Sequence, residues 1–444
     1  MTRQVIPGVM RNAYRAEDSD QIPPADRALI ARRERLLGPA YRLFYAHPLH
    51  IVRGEGVFLY DAEGRAYLDA YNNVACVGHG HPEVVDAIAR QAAMLNTHTR
   101  YIHDGILNYA DRLLATLSGG PRQMMFTCTG SEANDLALRV ARAHTKGTGI
   151  IVTELAYHGV TEAVSRISPS LGRSAEGDPG VRLVPAPDRY RAKGNDIGAA
   201  FAAAVEEAIE DMRRAGISPA ALIVDTIFSS DGVLPDPAGF LAPAVEVIHR
   251  AGGLFIADEV QPGFARTGPM WGFMRHGIDP DLVTIGKPMG NGYPVAAMIA
   301  KAECLREFAE QSRYFNTFGG SPVACAAAMA VLDIIERERL GENARATGDY
   351  LRDRLGALAA KHDLIGDVRG AGLFVAAELV LDRANLTPAP AEAGAVVNRM
   401  REDGVIVSTT GTYGNALKIR PPLVFSRENA DQFVEAFDRA LSAA

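Results

Sequence analysis

Three short stretches place residues capable of chemistry at the ends of apolar runs. In GLFIADEVQPGFARTG, the apolar residues Leu254 to Ala257 lead into Asp258 and Glu259. A carboxylate buried there is costly unless a cation or strong donor meets it, so a positive partner is expected. A solvated loop acid or a salt bridge to Arg266 is the plainer alternative. In DLVTIGKPMGNGYPV, Lys287 follows another apolar run and precedes a loop built on Pro288, Gly290, Gly292 and Pro294. A lysine that is desolvated and near other cations loses proton affinity, and its neutral amine can attack a carbonyl carbon. In TCTGSEAND, a strand runs through Thr129, Gly130 and Ser131 into a helix. The free N–H groups of that first turn and the helix dipole favour an anion such as phosphate. An ordinary cap by Thr129 or Ser131 is the alternative.

Taken together, these strand ends offer an anion cradle, a carboxylate in need of a cation and a nucleophilic amine. Pyridoxal 5'-phosphate asks for all three, through its phosphate, its pyridinium nitrogen and its aldehyde.

The elements that must position them read as α/β. Between Pro121 and Lys287, six candidate strands (QMMFTC, GIIVTE, VRLVPA, AALIVD, GLFIAD and DLVTIG) alternate with amphipathic stretches such as SEANDLALRVARAH and AFAAAVEEAIEDMRRA. That alternation predicts a mostly parallel sheet flanked by helices, with ligands at the carboxyl ends of its strands. Upstream, GVFLYDAEGRAYLDA reads as a hairpin turning at Glu63-Gly64, and PVACAAAMAVLDIIERERL after Ser321 reads as a long helix leaving the sheet. The expected division is residues 1–70 as an N-terminal segment with part of a small domain, 71–330 as the large cofactor-binding domain, and 331–444 as a C-terminal small α+β domain.

Bulk composition narrows the classes. With 444 residues, 48% hydrophobic and 22% charged, the chain can bury a large core. A formal net charge of -7 and the lack of a Lys/Arg run argue against nucleic acid as a partner. Cys76, Cys128, Cys304 and Cys325 are scattered without ligand spacing, so neither a disulfide framework nor a metal is expected. The first twenty residues mix charges and lack an apolar leader core, and no window has the length of a membrane span; a cytoplasmic protein is the expectation.

From LHIVRGEGVFLYDAEGRAYLDAYNNVACVGHGHP to ALKIRPPLVFS, with IADEVQPGFARTG and GKPMGNGYPV as its most specific blocks, the chain resembles the class III aminotransferases, fold-type-I pyridoxal-phosphate enzymes. YNNVACVGHGHP, LNTHTRYIH and FNTFGGSPVAC are most similar to the branch holding ethanolamine-phosphate phospho-lyases and alanine:glyoxylate aminotransferases. The resemblance implies that Lys287 forms an aldimine with the cofactor and shuttles a proton, while Asp258 keeps the pyridine nitrogen protonated. It implies that Tyr157 stacks on the ring, with His158 beside it, and that Gln261 bonds near the 3'-oxygen. Thr129, Gly130 and Ser131 would hold the phosphate, and Thr317 in FNTFGG would reach the phosphate of a neighbouring subunit's cofactor. A homodimer or dimer of dimers follows. Two departures stand out: Cys128-Thr129, where Asn-Ser is frequent, and DTIFSSDGV, Asp225 to Val233, which differs from both the aminotransferase and the phospho-lyase pattern.

The implied activity is transfer of an amino group from a primary amine or amino acid to a 2-oxo acid such as pyruvate. The alternative is elimination of phosphate and ammonia from a phosphoamine such as ethanolamine phosphate. Lys418 and Arg420 in LKIRPPL are candidates for the substrate's anionic group, with Lys418 at the position of a carboxylate-binding arginine in some relatives. Tyr45, with its neighbours Tyr41 and Phe44, and Asn72, with Asn73, fall in segments that line the substrate entrance.

Overall fold

The structure, a computed structural model, describes residues 10–17, 22–172, 178–192, 194 and 196–443. Part of the N-terminal stretch read above for a leader, residues 1–9 and 18–20, lies outside the described residues. Short runs of apolar residues build three sheets. The first strands are β1 (Ile51–Glu55), β2 (Phe58–Asp61) and β3 (Ala66–Asp69). β2 and β3 form the antiparallel hairpin, with Gly64 at φ +84° in its turn.

The central sheet takes β4 (Arg122–Thr127), β5 (Gly149–Thr153), β6 (Val181–Val184), β7 (Pro219–Asp225), β8 (Leu254–Asp258), β9 (Leu282–Ile285) and β10 (Ala296–Lys301). Their order across the sheet is β4-β10-β9-β8-β7-β5-β6. Every residue of β5, β8 and β9 is buried, because helices cover both faces; such strands read as unbroken apolar runs. All six expected strands are present. The seventh, β10, was not expected: AAMIAK is a short apolar run of a kind that helices and strands share. It lies antiparallel between β4 and β9.

The helix Pro322–Arg337 then leaves the sheet, as its sequence predicts. Beyond it come β11 (Ile365–Ala371), β12 (Phe374–Asp382), β13 (Thr387–Pro388), β14 (Val405–Ile406), β15 (Ser408–Thr410) and β16 (Ala416–Ile419). Four of these make the antiparallel order β11-β12-β16-β15, with β13 on the edge of β12. β14 instead pairs in parallel with β3, so the two ends of the chain share one small sheet. Arg420, just past β16, donates its backbone N–H to Ala70 O at 2.8 Å. These ties bring the C-terminal part of the chain against the carboxyl ends of the central strands.

Candidate active site

Parallel register sets the first part of the site. β7 and β8 run side by side with Asp225 opposite Asp258, and β9 ends two residues before Lys287. The carboxyl ends of three adjacent strands therefore deliver two carboxylates and an amine to one place. The chamber there is lined by Gly130, Ser131, Tyr157, His158, Asp258 and Lys287, with Asp225, Gln261, Gly159 and Val260 completing its wall.

The Asp258 carboxylate is held from both sides. Oδ2 accepts from Asn134 Nδ2 at 2.9 Å and lies 2.7 Å from His158 Nδ1, while Oδ1 accepts from the Val260 N–H at 3.1 Å. Asn134 is itself fixed, donating to His158 O at 2.7 Å and accepting from Thr284 Oγ1 at 2.6 Å. Among the described residues His158 Nε2 is buried without a partner, so within them this ring serves Asp258 alone. Asp258 does not pair with Arg266, whose Nη1 donates to the carbonyls of Leu373 and Pro421. Glu259, its neighbour, turns to the other side of the strand and accepts from Thr226 Oγ1 and the N–H groups of Gly272 and Phe273. Burial pushes the Glu259 carboxyl up to about 7 despite those donors.

Lys287 borders both this chamber and an adjoining, mostly apolar cavity of about 400 Å³, with Nζ 5.8 Å from the centre of the Tyr157 ring. Burial, then the Arg420 charge, holds its ammonium below the usual lysine range against the opposing pull of Asp258 and Asp225. Desolvation thus favours the free amine.

At the opposite wall the helix Gly130–Thr145 begins. Thr129 is its cap: Thr129 Oγ1 accepts from the Glu132 N–H at 3.2 Å, and Glu132 Oε2 accepts from the Thr129 N–H at 2.9 Å. That capping box uses the threonine locally, and Thr129 does not line the chamber as expected. Gly130 and Ser131 do. A Cβ on Gly130 would lie 2.9 Å from Val260 Cγ2, and one on Gly159, at φ +137°, would lie 2.3 Å from Ser131 Oγ. The Val260 side chain closes over the first helical turn at Gly130 and the Gly159 backbone at Ser131, and Ser131 Oγ accepts from the Val160 N–H at 3.1 Å.

The remaining expected residues divide. Tyr45 and Asn72 line the apolar cavity, together with Phe44, Asn73, Lys287 and Arg420. The Tyr45 hydroxyl is already committed to Val407 O at 3.0 Å, and Asn72 Oδ1 accepts from the Val74 N–H at 3.0 Å. Lys418 is buried and borders a second, larger cleft of about 840 Å³, beside Tyr41 and Phe44. Arg420 is 8% exposed, and it donates through Nη1 to Asn73 Oδ1 at 3.1 Å and to Gln261 Oε1. Both cations are buried rather than solvated at a strand end. Thr317 is exposed and does not line the chamber of its own chain.

Asn134 escaped sequence reasoning, while Asp225 and Ser229, whose Oγ accepts from Gln261 Nε2 at 2.6 Å, lie in the DTIFSSDGV stretch already marked as a departure, without a role given to either. Asn134 is buried within an otherwise amphipathic helix, and that misplaced polarity was the one available signal.

A helix N-terminus with no room for a side chain, a carboxylate furnished with three donors and a buried amine of lowered proton affinity match the phosphate, ring nitrogen and aldehyde of pyridoxal phosphate. Fold and site together define a pyridoxal-phosphate-dependent enzyme. Residues 44–441 match the Aminotransferase class-III family. An alanine-glyoxylate aminotransferase 2-like protein of Drosophila melanogaster is 43% identical over 429 residues, covering 93% of this chain and 87% of the relative. An ethanolamine-phosphate phospho-lyase homolog 1 of Caenorhabditis elegans is 35% identical, covering 93% of each chain. Among solved structures, a phospholyase from Arthrobacter in complex with phosphoethanolamine superposes with a TM-score of 0.89 at 41% identity, covering 94% of this chain and 100% of that one. The chain belongs to the class III aminotransferases.

Proposed function

We propose that the protein takes the amino group of a primary amine or amino acid and passes it to a 2-oxo acid such as pyruvate. The observation that carries this reading is the position of Lys287, which borders both the chamber at the helix N-terminus and the apolar cavity beside it. When bound, pyridoxal phosphate supplies the aldehyde that takes up the amino group and the ring that withdraws electrons from the substrate carbon. Lys287 Nζ, its proton affinity lowered by burial, would move the proton between that carbon and the cofactor. Asp258, oriented by Asn134 and His158, would hold a proton at the ring nitrogen, Tyr157 would wall the ring, and the first turn at Gly130 and Ser131 would receive the phosphate. The apolar wall of Leu43, Phe44, Leu49 and Ile406 keeps water from the reacting carbon.

Addition of an amine donor without acceptor should bleach the yellow protein, and pyruvate should restore the colour. Lys287→Ala should abolish the exchange while cofactor still binds in equilibrium dialysis; retained turnover would falsify the assignment.

A second reading, phosphate elimination from a phosphoamine, is favoured by one observation. Among the described residues, the lining of the 840 Å³ cleft includes Arg11 and Lys418 and the hydroxyls of Ser230, Thr409 and Thr412, with no carboxylate. That lining suits an anionic leaving group, which the likeness to the Arthrobacter phospholyase also supports. Under the first reading Lys418 seats a substrate carboxylate instead. Prompt release of inorganic phosphate from phosphoethanolamine would replace the first reading with this one.

The active form in this proposal is a homodimer or a dimer of dimers, in which Thr317 reaches the neighbouring cofactor. Thr317 sits in an exposed apolar region: Ile102 is 93% and Phe318 73% exposed, and His98 and Arg100 pack on Phe315 to join the two segments. A sedimenting monomer with full activity would contradict it. The cytoplasm is the proposed compartment, supported by four cysteines that are all unpaired; subcellular fractionation is the test.

A further inference from the structure

Gln261 lies within a chain of contacts that fixes which end of its amide points where. Its Nε2 donates to Ser229 Oγ at 2.6 Å, and its Oε1 accepts from Arg420 Nη1. A guanidinium can only donate. The oxygen of the amide therefore faces Arg420, the nitrogen faces Ser229, and the reversed rotamer would press two donors together. An amide nitrogen carries two N–H groups, so one remains uncommitted on a residue that lines the chamber.

Arg420 is equally fixed. The same Nη1 donates to Asn73 Oδ1 at 3.1 Å, the guanidinium lies 4.4 Å from the centre of the Tyr71 ring, and Nε is buried without a partner among the described residues. No carboxylate forms an ion pair with it among the described residues. A buried guanidinium is rarely left so. Its charge is consequently felt by its neighbours: after burial, Arg420 is the largest influence lowering the proton affinity of both Lys287 and Lys418.

We propose that Arg420 is a positioning residue for the reaction: it holds the Gln261 amide one way round, with an N–H available to the cofactor, and places a fixed uncompensated cation beside Lys287. The substrate's acidic group is left to Lys418, on the other cleft. This rests on the reading of the chamber as the cofactor seat.

The test compares wild type with Arg420→Met and Ser229→Ala, and measures the dissociation constant of pyridoxal phosphate from the apoprotein and the pH midpoint of the visible band of the loaded protein. Arg420→Met should weaken cofactor binding about tenfold, the effect of losing one charge-assisted hydrogen bond, and move the midpoint to higher pH. Ser229→Ala should weaken binding by a smaller factor and leave the midpoint in place, since it removes no charge. If Arg420→Met does not fold, Arg420→Lys replaces it, with weakened binding and a near-wild-type midpoint expected. Unchanged cofactor affinity, in Arg420→Met or its replacement, overturns the proposal. So does a wild-type midpoint in Arg420→Met. A rise in KM confined to acid-bearing amines, with cofactor affinity intact, would assign Arg420 to substrate and likewise overturn it. A wild-type protein with no visible band would instead refute the cofactor reading itself.

Discussion

Asp225 and Asp258 stand opposite one another at the ends of adjacent parallel strands, yet their carboxylates are held in different ways. Asp258 is met by the side chains of Asn134 and His158, which come from other parts of the chain. Asp225 accepts from the N–H groups of Ile227 and Ser229, at 3.1 Å each, within its own turn. One is braced to meet a ligand; the other shapes the loop that carries Ser229. Burial, aided by the charge of Asp258, raises the Asp225 carboxyl above its ordinary range.

Substitutions should separate them. Asp258→Asn should reduce turnover by several orders of magnitude, because an amide in this place cannot keep the ring nitrogen protonated. Asp225→Asn, nearly isosteric, should retain cofactor binding and most of the rate. Steady-state kinetics of the two variants decide, and comparable losses would place both acids in the chemistry.

His158→Ala leaves Asp258 with two of its three donors. A charge-assisted hydrogen bond of this kind is worth about 1.5–3 kcal/mol. The expected result is a fall in kcat of about ten- to a hundredfold by the same principle, with the melting temperature little changed. A collapse of the melting temperature alone would show that the ring is only structural.

Gly130→Ala tests the cradle. Its new methyl group would meet Val260 Cγ2 at 2.9 Å, and both the side chain and the first helical turn would have to give way. Phosphate affinity of the apoprotein, measured by titration with pyridoxal phosphate, should fall before stability does.

Asp231 sets a pH dependence of stability. It is buried, accepts from Thr153 Oγ1 and the Leu155 N–H, and burial pushes it up to about 7 from an ordinary 3.8. Because the folded value is the higher one, its contribution is full below 3.8 and is lost as pH rises through about 7. Asp231→Asn keeps the loop packed, since the Thr153 hydroxyl can turn from donor to acceptor. Denaturant unfolding of this variant should therefore lose less stability than wild type between those two pH values. Identical slopes would show that Asp231 is already ionised in the folded protein.

The amino-acid sequence by itself determined the strand ends. Unbroken apolar runs mark strands covered on both faces, and whatever polar residue follows such a run must emerge at the sheet's carboxyl edge; Asp258, Lys287 and the Gly130-Ser131 turn were legible for that reason. What tertiary structure alone decided is how those ends are held. Asn134 meets Asp258 across 124 residues and Arg420 meets Gln261 across 159, pairings that no local period encodes. The same physics explains how two of the expected residues are held: Thr129 is engaged in a capping box with Glu132, three positions on, and Arg420 lies against Tyr71 because the chain just past β16 is tied to Ala70 by a backbone hydrogen bond.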